Sequence, residues 1–144
     1  MNNLKLTNSL TKKKEFFKPI NPKKISLYAC GPTVYENPHV GNARTLVVFD
    51  ILFRILKVLY NSNVTYVRNI TDVDDKIIEA ARKNKKDISE VTNSVTKIFH
   101  ENCKNLNCLK PSVEPKATEH IEEMIIMTNS LIDKGFAYIN KGHV

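Results

Sequence analysis

The segment His39-Val40-Gly41-Asn42 carries groups that suit the binding of a phosphorylated ligand. A helix is predicted to begin near His39, and no carboxylate follows in its first turn, so its open backbone N–H groups and its dipole favour an anion. The His39 ring and the Asn42 amide add neutral donors, and Gly41 leaves room for a flat ring against the backbone. Such donors matter most where charge develops during phosphoryl or nucleotidyl transfer. A histidine before a helix is also an ordinary cap or surface residue, and that alternative stays open here.

Cys30 lies at the end of a predicted strand, directly before Gly31-Pro32. A thiol in this position can be a zinc ligand, a nucleophile or a small buried hydrophobic group, and base rates favour the buried group. Zinc needs about three protein ligands, and the nearby candidates His100, Cys103 and Cys108 have a spacing that matches no familiar zinc motif. A zinc ion on Cys30 is therefore expected to take its other ligands from residues outside this chain.

An acidic run, Asp72 to Asp75, follows Thr71. Clustered carboxylates suit magnesium binding or general base catalysis. Acids at the start of a helix also cap it and complement its dipole, and this interpretation is favoured, with Thr71 or Asp72 as the N-cap. Thr71 has a second possible role, because it ends a predicted parallel strand, where open α/β sheets bind their ligands.

A predicted strand–helix–strand unit positions these groups. The compact run from Ile25 to Cys30 is typical of a buried strand, and Val64 to Ile70 reads as a second strand. Between them, Arg44 to Tyr60 is apolar nearly all round, which predicts a largely buried helix with one wet edge. That edge is a polar stripe of Asp50, Arg54 and Lys57. The first two are spaced to form an ion pair. The connection by a helix predicts that the two strands are parallel, in an α/β fold.

Shorter elements surround this unit. The first 24 residues predict a short strand or hairpin packed on the domain edge, and Asn61-Ser62-Asn63 predicts a turn. The remaining predicted elements are a helix to about Lys83, a helix from Asp87 to about Leu106, a loop from Asn107 to Pro115, a helix from Ala117 to Lys134 stopped by Gly135, and a strand from Phe136 to Ile139.

Length and composition limit the class of protein. The chain has 144 residues, about one domain, and 42% of them are hydrophobic. The formal net charge of +7 favours a polyanionic partner or a phosphate-bearing substrate, although surface lysine is often only solubilising. Three cysteines make no disulfide framework, and neither a signal peptide nor a long apolar run is recognised. The expectation is a cytoplasmic protein with reduced thiols and no membrane segment.

Three stretches resemble, in order, the N-terminal portion of the class I aminoacyl-tRNA synthetases and, within them, the cysteinyl-tRNA synthetase family. Leu27 to Tyr35 is similar to that family's opening strand with its zinc cysteine, Pro38 to Arg44 to its HIGH region, and Tyr66 to Ile77 to its second-strand motif. Pro111 to Thr118 and Gly135 to Tyr138 also fit the family's later spacing. The resemblance covers nearly the whole chain, and three linked motifs are more specific than any one of them.

The resemblance implies a fold and a reaction. The implied fold is the first half of a Rossmann-like doubly wound parallel sheet, the class I synthetase catalytic domain, with helices that begin the inserted connective region. The implied reaction uses ATP, with Mg²⁺, and L-cysteine to form cysteinyl-adenylate and pyrophosphate, and then transfers the cysteinyl group to tRNA(Cys). The partners would be tRNA(Cys), ATP and L-cysteine, in a cytoplasmic protein expected to be a monomer.

The resemblance also implies roles for individual residues. His39 would support the ATP phosphates in the transition state, Asn42 would belong to the same catalytic and ATP-binding region, and Gly41 would let the adenine pack on the helix start. The amino-acid pocket would be lined by Gly31, Thr33 and Thr71. Cys30 would be one ligand of a Zn²⁺ ion that binds the substrate thiolate, since a soft thiolate–zinc bond separates cysteine from serine better than pocket shape does.

Two departures from the family pattern matter. The fourth position of the HIGH motif is Asn42, which keeps a donor but cannot carry a proton, so a phosphate or ribose contact is its expected role. The family's second half, with the remaining zinc ligands, the KMSKS loop and the tRNA-binding helical domain, is not in this chain, which alone is expected to be inactive. The expected divisions are 1–24, an extension on the domain edge; 25–115, the first half of the catalytic domain; and 116–144, the start of the insertion.

Two alternatives from the same motifs remain. A paralogous ATP-dependent ligase that joins cysteine to an amino-sugar would share this part of the chain, and tight tRNA binding by the intact protein would favour the synthetase over it. The second alternative is a non-catalytic nucleotide- or RNA-binding module that keeps the fold. Loss of His39 or Cys30 would favour this alternative, but both residues are present.

Overall fold

The computed structural model describes residues 4–60 and 63–144. The strands are β1 (Lys5–Asn8), β2 (Lys13–Phe16), β3 (Ile25–Ala29) and β4 (Val64–Arg68). The helices are α1 (Val40–Leu59), α2 (Asp75–Asn84), α3 (Ile88–Asn105) and α4 (Ile121–Asp133), with a 3₁₀ turn at Ala117–His120 before α4. Among the helices in these ranges, none is long and apolar enough to cross a membrane.

The strands β3 and β4 pair in parallel with α1 between them, which confirms the predicted unit. Their register runs from Ile25 opposite Val64 to Ala29 opposite Arg68, so both carboxyl ends lie at one edge. One face packs on α1 through a core of Ile25, Ala29, Phe53, Leu56, Val64 and Tyr66. The other face of β3 is open, since Tyr28 is 62% exposed, so β3 is less buried than predicted. Two residues of the predicted turn, 61 and 62, lie outside the described residues.

The polar stripe of α1 does not form the predicted wet edge, because Asp50 is only 8% exposed. Its carboxylate accepts hydrogen bonds from the Leu109 backbone N–H at 2.7 Å and from Arg54 Nε at 2.7 Å. The prediction of a largely buried helix is also wrong, because one side of α1 packs on the sheet while Val48, Ile51, Ile55 and Val58 remain exposed. The predicted ion pair is therefore confirmed and the predicted position of Asp50 is wrong, because this carboxylate faces inward to hold a distant loop.

A second core joins α2 and α3 to the break between β3 and α1. Its buried members are Val34, Leu46, Ile70, Ile77, Ala81, Val91, Val95, Phe99 and Cys103. Val34 is fully buried and lies within the break itself, between Thr33 and His39. The irregular segment that carries the candidate site is therefore anchored in a hydrophobic core rather than loose on the surface.

The helix α2 lies where it was predicted, but it begins differently. Its N-cap is Asp74, whose Oδ1 accepts a hydrogen bond from the Lys76 N–H at 2.9 Å. The capping interpretation of the acidic run is confirmed there, and the choice of Thr71 or Asp72 as the cap is wrong. Asp72 instead accepts hydrogen bonds from the backbone N–H and the hydroxyl of Thr118, at 3.0 and 2.6 Å. A contact between such distant positions is not visible to local capping rules.

Two predictions about extended segments need correction. Val113, within the predicted loop, and Lys116, directly after it, form parallel bridges with Val67 and Ile70, so a third extended segment lines β4 on the side opposite β3. The predicted strand at 136–139 does not form. Gly135 ends the preceding helical segment as predicted, with a φ of 75°. The short apolar run after it pairs with no strand in the described part of the chain, and an unpaired strand is not stable by itself.

The first described residues form the predicted hairpin. The strands β1 and β2 pair antiparallel, with Lys5 opposite Phe16. Leu4 and Phe17 pack against the core between β3, β4 and α1, and the Phe17 ring meets the Tyr60 ring edge-on at 6.2 Å between centroids. Because Tyr60 follows α1 directly, the hairpin lies near the amino ends of β3 and β4, away from their carboxyl ends.

Candidate active site

The segments that follow β3 and β4 stay paired beyond the strands themselves. Thr33 and Thr71 form a parallel bridge, in which the Val34 N–H donates to the Thr71 carbonyl at 3.1 Å. The Thr71 N–H donates in turn to the Pro32 carbonyl at 3.0 Å. The break after β3 is thereby held against the end of β4, at the edge where open α/β sheets bind their ligands.

Gly31 approaches the backbone after β4 so closely that no side chain fits. A Cβ on Gly31 would lie 1.5 Å from the Asn69 carbonyl oxygen and 2.6 Å from its carbon. The Gly31 N–H donates to Asn69 Oδ1 at 2.9 Å. A glycine is therefore required here by the contact between two backbones, whatever it contributes to a substrate pocket.

Asn69 is a site residue for which the sequence patterns predicted no role. Its Oδ1 accepts hydrogen bonds from Gly31 N–H and from the Tyr28 hydroxyl at 3.0 Å, and its Nδ2 donates to Thr71 Oγ1 at 3.0 Å. The Asn69 amide thus fixes the position of the Thr71 hydroxyl relative to the turn at Gly31. The signal available in the sequence was an asparagine near the end of a predicted strand, because an amide that becomes half-buried there needs several partners.

His39 caps α1 through a reciprocal pair of hydrogen bonds. Its Nδ1 accepts from the Gly41 N–H at 3.0 Å, and Asn42 Oδ1 accepts from the His39 N–H at 3.0 Å. Since Nδ1 is an acceptor, the neutral ring carries its proton on Nε2. The first turn of α1 holds no acidic residue, as predicted. The cap and the anion-binding interpretations are therefore compatible, because capping orients a ring whose Nε2–H can still donate.

Gly41 makes room for that ring. A Cβ on Gly41 would lie 2.8 Å from His39 Cε1 and 3.0 Å from Nδ1. The Asn42 Oδ1 atom accepts the hydrogen bond of the cap, so the Nδ2 group is the part of this amide that can donate to a ligand. His39, Asn42 and Thr33 line one cavity of about 160 Å³. The other proposed site residues, Cys30, Gly31, Gly41 and Thr71, are not part of its lining.

Cys30 is exposed, which overturns the interpretation as a small buried hydrophobic group. It directly follows Ala29, the buried last residue of β3. Within residues 4–60 and 63–144, no group of three or more His, Cys, Asp or Glu side chains is arranged to hold a metal ion. Because a zinc site needs about three protein ligands, Cys30 can supply one of them and the described residues do not complete the set.

The alternative ligands are engaged in other contacts. His100 Nε2 lies 2.7 Å from Glu114 Oε2, while Glu114 Oε1 accepts from Arg68 Nε and Nη2 at 3.1 and 2.6 Å. Burial raises the pKa of the Cys103 and Cys108 thiols, so both remain protonated at neutral pH. His100 is held by Glu114, and the three side chains do not form a metal-binding group in the described part of the chain, so the structure does not favour a site built from His100, Cys103 and Cys108.

The chain is similar to known proteins over most of its length. The family model for the tRNA synthetases class I (C) catalytic domain matches residues 16–144. The cysteine--tRNA ligase of Pelagibacter ubique (strain HTCC1062) is 56% identical over 140 residues, which cover 96% of this chain and 31% of that protein. The cysteine--tRNA ligase of Beijerinckia indica is 56% identical over 142 residues, covering 98% of this chain and 31% of that protein.

A third relative, the cysteine--tRNA ligase of Rickettsia bellii (strain OSU 85-389), is 54% identical over 140 residues, which cover 96% of this chain and 31% of that protein. The chain thus spans 31% of the length of each of these three relatives. The mixed α/β architecture with its parallel strand pair agrees with such a catalytic domain. Because the family model covers most of its length, the chain belongs to the class I (C) tRNA synthetases, as part of their catalytic domain.

Proposed function

We propose that this chain, within a whole cysteine--tRNA ligase, activates L-cysteine with ATP and Mg²⁺ and supports transfer of the cysteinyl group to tRNA(Cys). The observation that carries the proposal is the start of α1, where an oriented His39 ring and the Asn42 amide line a cavity at the carboxyl edge of a parallel strand pair. Relatives that are 54% and 56% identical are named cysteine--tRNA ligases, which supports cysteine as the amino acid.

In the activation step, a carboxylate oxygen of cysteine attacks the α-phosphorus of ATP and pyrophosphate leaves, so negative charge builds on the phosphate oxygens. His39 Nε2–H donates to one of these oxygens, and the Gly41 N–H at Nδ1 keeps the ring from turning away. Because Nδ1 accepts from the Gly41 N–H, Nε2–H is the donor that the ring directs at the ligand. Asn42 Nδ2 donates to a phosphate or ribose oxygen, and the α1 dipole adds about 0.3–1 kcal/mol for an anion.

The amino-acid pocket is proposed to lie beside this cavity, lined by Gly31, Thr33 and Thr71. Thr71 Oγ1 accepts a hydrogen bond from Asn69 Nδ2, so its own O–H proton is directed away from Asn69 and can donate to a substrate oxygen. Asn69 acts here as a positioning residue. Its three hydrogen bonds hold the Thr71 hydroxyl and the Gly31 turn in one arrangement.

Cys30 is proposed as one ligand of a Zn²⁺ ion, with the other ligands supplied from outside this chain. The exposed thiol at the end of β3 fits this role, since a thiolate is a preferred zinc ligand. Bound there, zinc would supply a soft Lewis acid for the substrate thiolate. Serine has a hydroxyl in place of the thiol and would bind zinc much more weakly. The division of the chain at residues 24 and 115, the monomeric state and the cytoplasmic location remain part of the proposal.

The test of the proposal is cysteine-dependent ATP–pyrophosphate exchange by the whole protein, with serine as the control amino acid. Exchange with cysteine alone supports adenylate formation, and transfer of labelled cysteine to tRNA(Cys) rather than to an amino-sugar then supports the synthetase. Absence of exchange from a folded, zinc-loaded protein would contradict the proposal and favour a non-catalytic nucleotide- or RNA-binding module.

His39→Ala in the whole protein is expected to slow pyrophosphate exchange by about 10²–10³-fold, because one donor to the developing charge is lost. His39→Asn is the matched variant. Asparagine is a good N-cap, so it preserves the start of α1 while removing the ring donor. Both variants should be slow, with His39→Asn as stable as the wild type to urea. Recovery of exchange in His39→Asn would show that only the cap is needed.

Cys30→Ser is expected to lower the zinc content of the whole protein and to weaken its discrimination against serine in exchange, since a hydroxyl is a much poorer zinc ligand than a thiolate. Cys108→Ser is the control, because that half-buried thiol lies in the loop after α3. Metal analysis of both variants decides the assignment. One zinc per chain in Cys30→Ser would refute it.

A further inference from the structure

The positive charge of the chain is concentrated in its first 24 residues. Seven lysines and one acid, Glu15, lie there, so this segment carries +6 of the formal net charge of +7. The lysines are Lys5, Lys12, Lys13, Lys14, Lys18, Lys23 and Lys24, and all are exposed. A general preference for lysine would spread the charge along the chain, so the clustering needs a local explanation.

The register of the hairpin assigns its side chains to two faces. Leu4 and Phe17 pack on the core, and Leu6 and Glu15, which lie on the same face, are half-buried. The outward face carries Lys5, Thr7, Lys14 and Phe16. Lys5 Nζ lies 4.4 Å from the centroid of the Phe16 ring, and Phe16 remains 54% exposed.

An exposed aromatic ring between lysines suits an RNA strand. A base can stack on the ring while the ammonium groups contact the flanking phosphates, as in proteins that bind single strands. Lysines also protect open strand edges from pairing with other chains, but that function does not explain an aromatic ring kept exposed among them.

We propose that the outward face of the β1–β2 hairpin, formed by Lys5, Lys14 and Phe16, is a binding surface for an unpaired segment of the RNA substrate. The identity of the RNA rests on the proposed function, but the surface does not. The hairpin packs near the amino ends of β3 and β4, whereas the proposed catalytic edge lies at their carboxyl ends. The surface therefore anchors RNA at a distance from the site of cysteine activation.

The test is fluorescence anisotropy of the whole protein with labelled tRNA(Cys), over a series of salt concentrations. Lys5→Gln with Lys14→Gln is expected to weaken binding roughly tenfold and to reduce the slope of log affinity against log salt by about 2, because each lysine neutralises about one phosphate. Phe16→Leu is expected to weaken binding about tenfold with the slope unchanged, because stacking is not ionic.

The matched control is Lys83→Gln with Lys86→Gln, which removes the same charge from exposed positions near the end of α2. Equal losses of affinity in the hairpin and control variants, or no loss in the hairpin variant, would overturn the inference.

A membrane surface is a second polyanion that lysines can bind, and vesicles containing phosphatidylserine test for it. Hairpin-dependent binding to vesicles with unchanged RNA binding would overturn it as well. Hairpin-dependent RNA binding by a wild-type protein that shows no cysteine-dependent exchange would instead support this surface and reject the proposed function.

Discussion

Gly31→Ala is expected to destabilise the protein by more than about 4 kcal/mol or to prevent folding, a size of effect that few single substitutions reach. The added Cβ would lie 1.5 Å from the Asn69 carbonyl oxygen, and this oxygen belongs to a backbone that cannot rotate away. Relief requires separating the segments after β3 and β4, which breaks the Gly31–Asn69 hydrogen bond and the Thr33–Thr71 bridge. Urea denaturation followed by circular dichroism measures the loss.

Gly41→Ala is the matched control for this substitution. There the added Cβ meets only the His39 ring, at 2.8 Å, and a side chain can turn aside. Alanine also favours a helix over glycine by about 1 kcal/mol, so the stability is expected to change by no more than about that amount. If Gly31→Ala were as stable as Gly41→Ala, the close approach of the two backbones at Gly31 would be contradicted.

Glu114→Gln is expected to cost about 3 kcal/mol of stability, the low end of the range for removing one partner of a buried ion pair, because the Arg68 side chain is buried and that of Glu114 is 21% exposed. The Arg68 guanidinium is almost completely buried and lies 4.9 Å from the Phe99 ring centroid, with Glu114 Oε1 accepting from both its Nε and its Nη2. Without the carboxylate, a buried positive charge has no counter-charge. His100 Nε2 also loses the carboxylate oxygen that lies 2.7 Å away. The measurement is the free energy of unfolding in urea.

Two further variants separate the buried pair from a general effect of charge. Glu79→Gln removes the same charge from an exposed position on α2 and is expected to change stability by less than about 0.5 kcal/mol. Replacing both partners, Arg68→Met with Glu114→Leu, is expected to recover most of the loss, since no buried charge is left. A cost for Glu114→Gln similar to that for Glu79→Gln would show that the pair does not matter.

Much of the candidate site was predictable because its signals are local. The absence of acids after His39, the donor at Asn42 and the glycine between them all lie within one turn of helix, and the structure forms the predicted helix start there. The parallel pairing of β3 and β4 was equally accessible, since a helix that connects two short apolar strands leaves little other choice. The catalytic and binding roles proposed for the site residues stay predictions; they are His39, Gly41, Asn42, Gly31, Thr33, Thr71 and Cys30.

The sequence by itself determined most of the helices and strands, because hydrophobic periodicity and capping chemistry act over a few residues; the extended segment at Val113 and the absence of a strand at 136–139 were decided by pairing between distant segments. Only the tertiary structure decided which polar groups are buried and what they bind. Asp50 faces inward to hold Leu109, Asp72 binds Thr118 rather than capping α2, and Asn69 joins Gly31 to Thr71. In each case a buried or half-buried polar atom needs a hydrogen-bond partner, and that partner lies far away in the chain, where no local pattern specifies it.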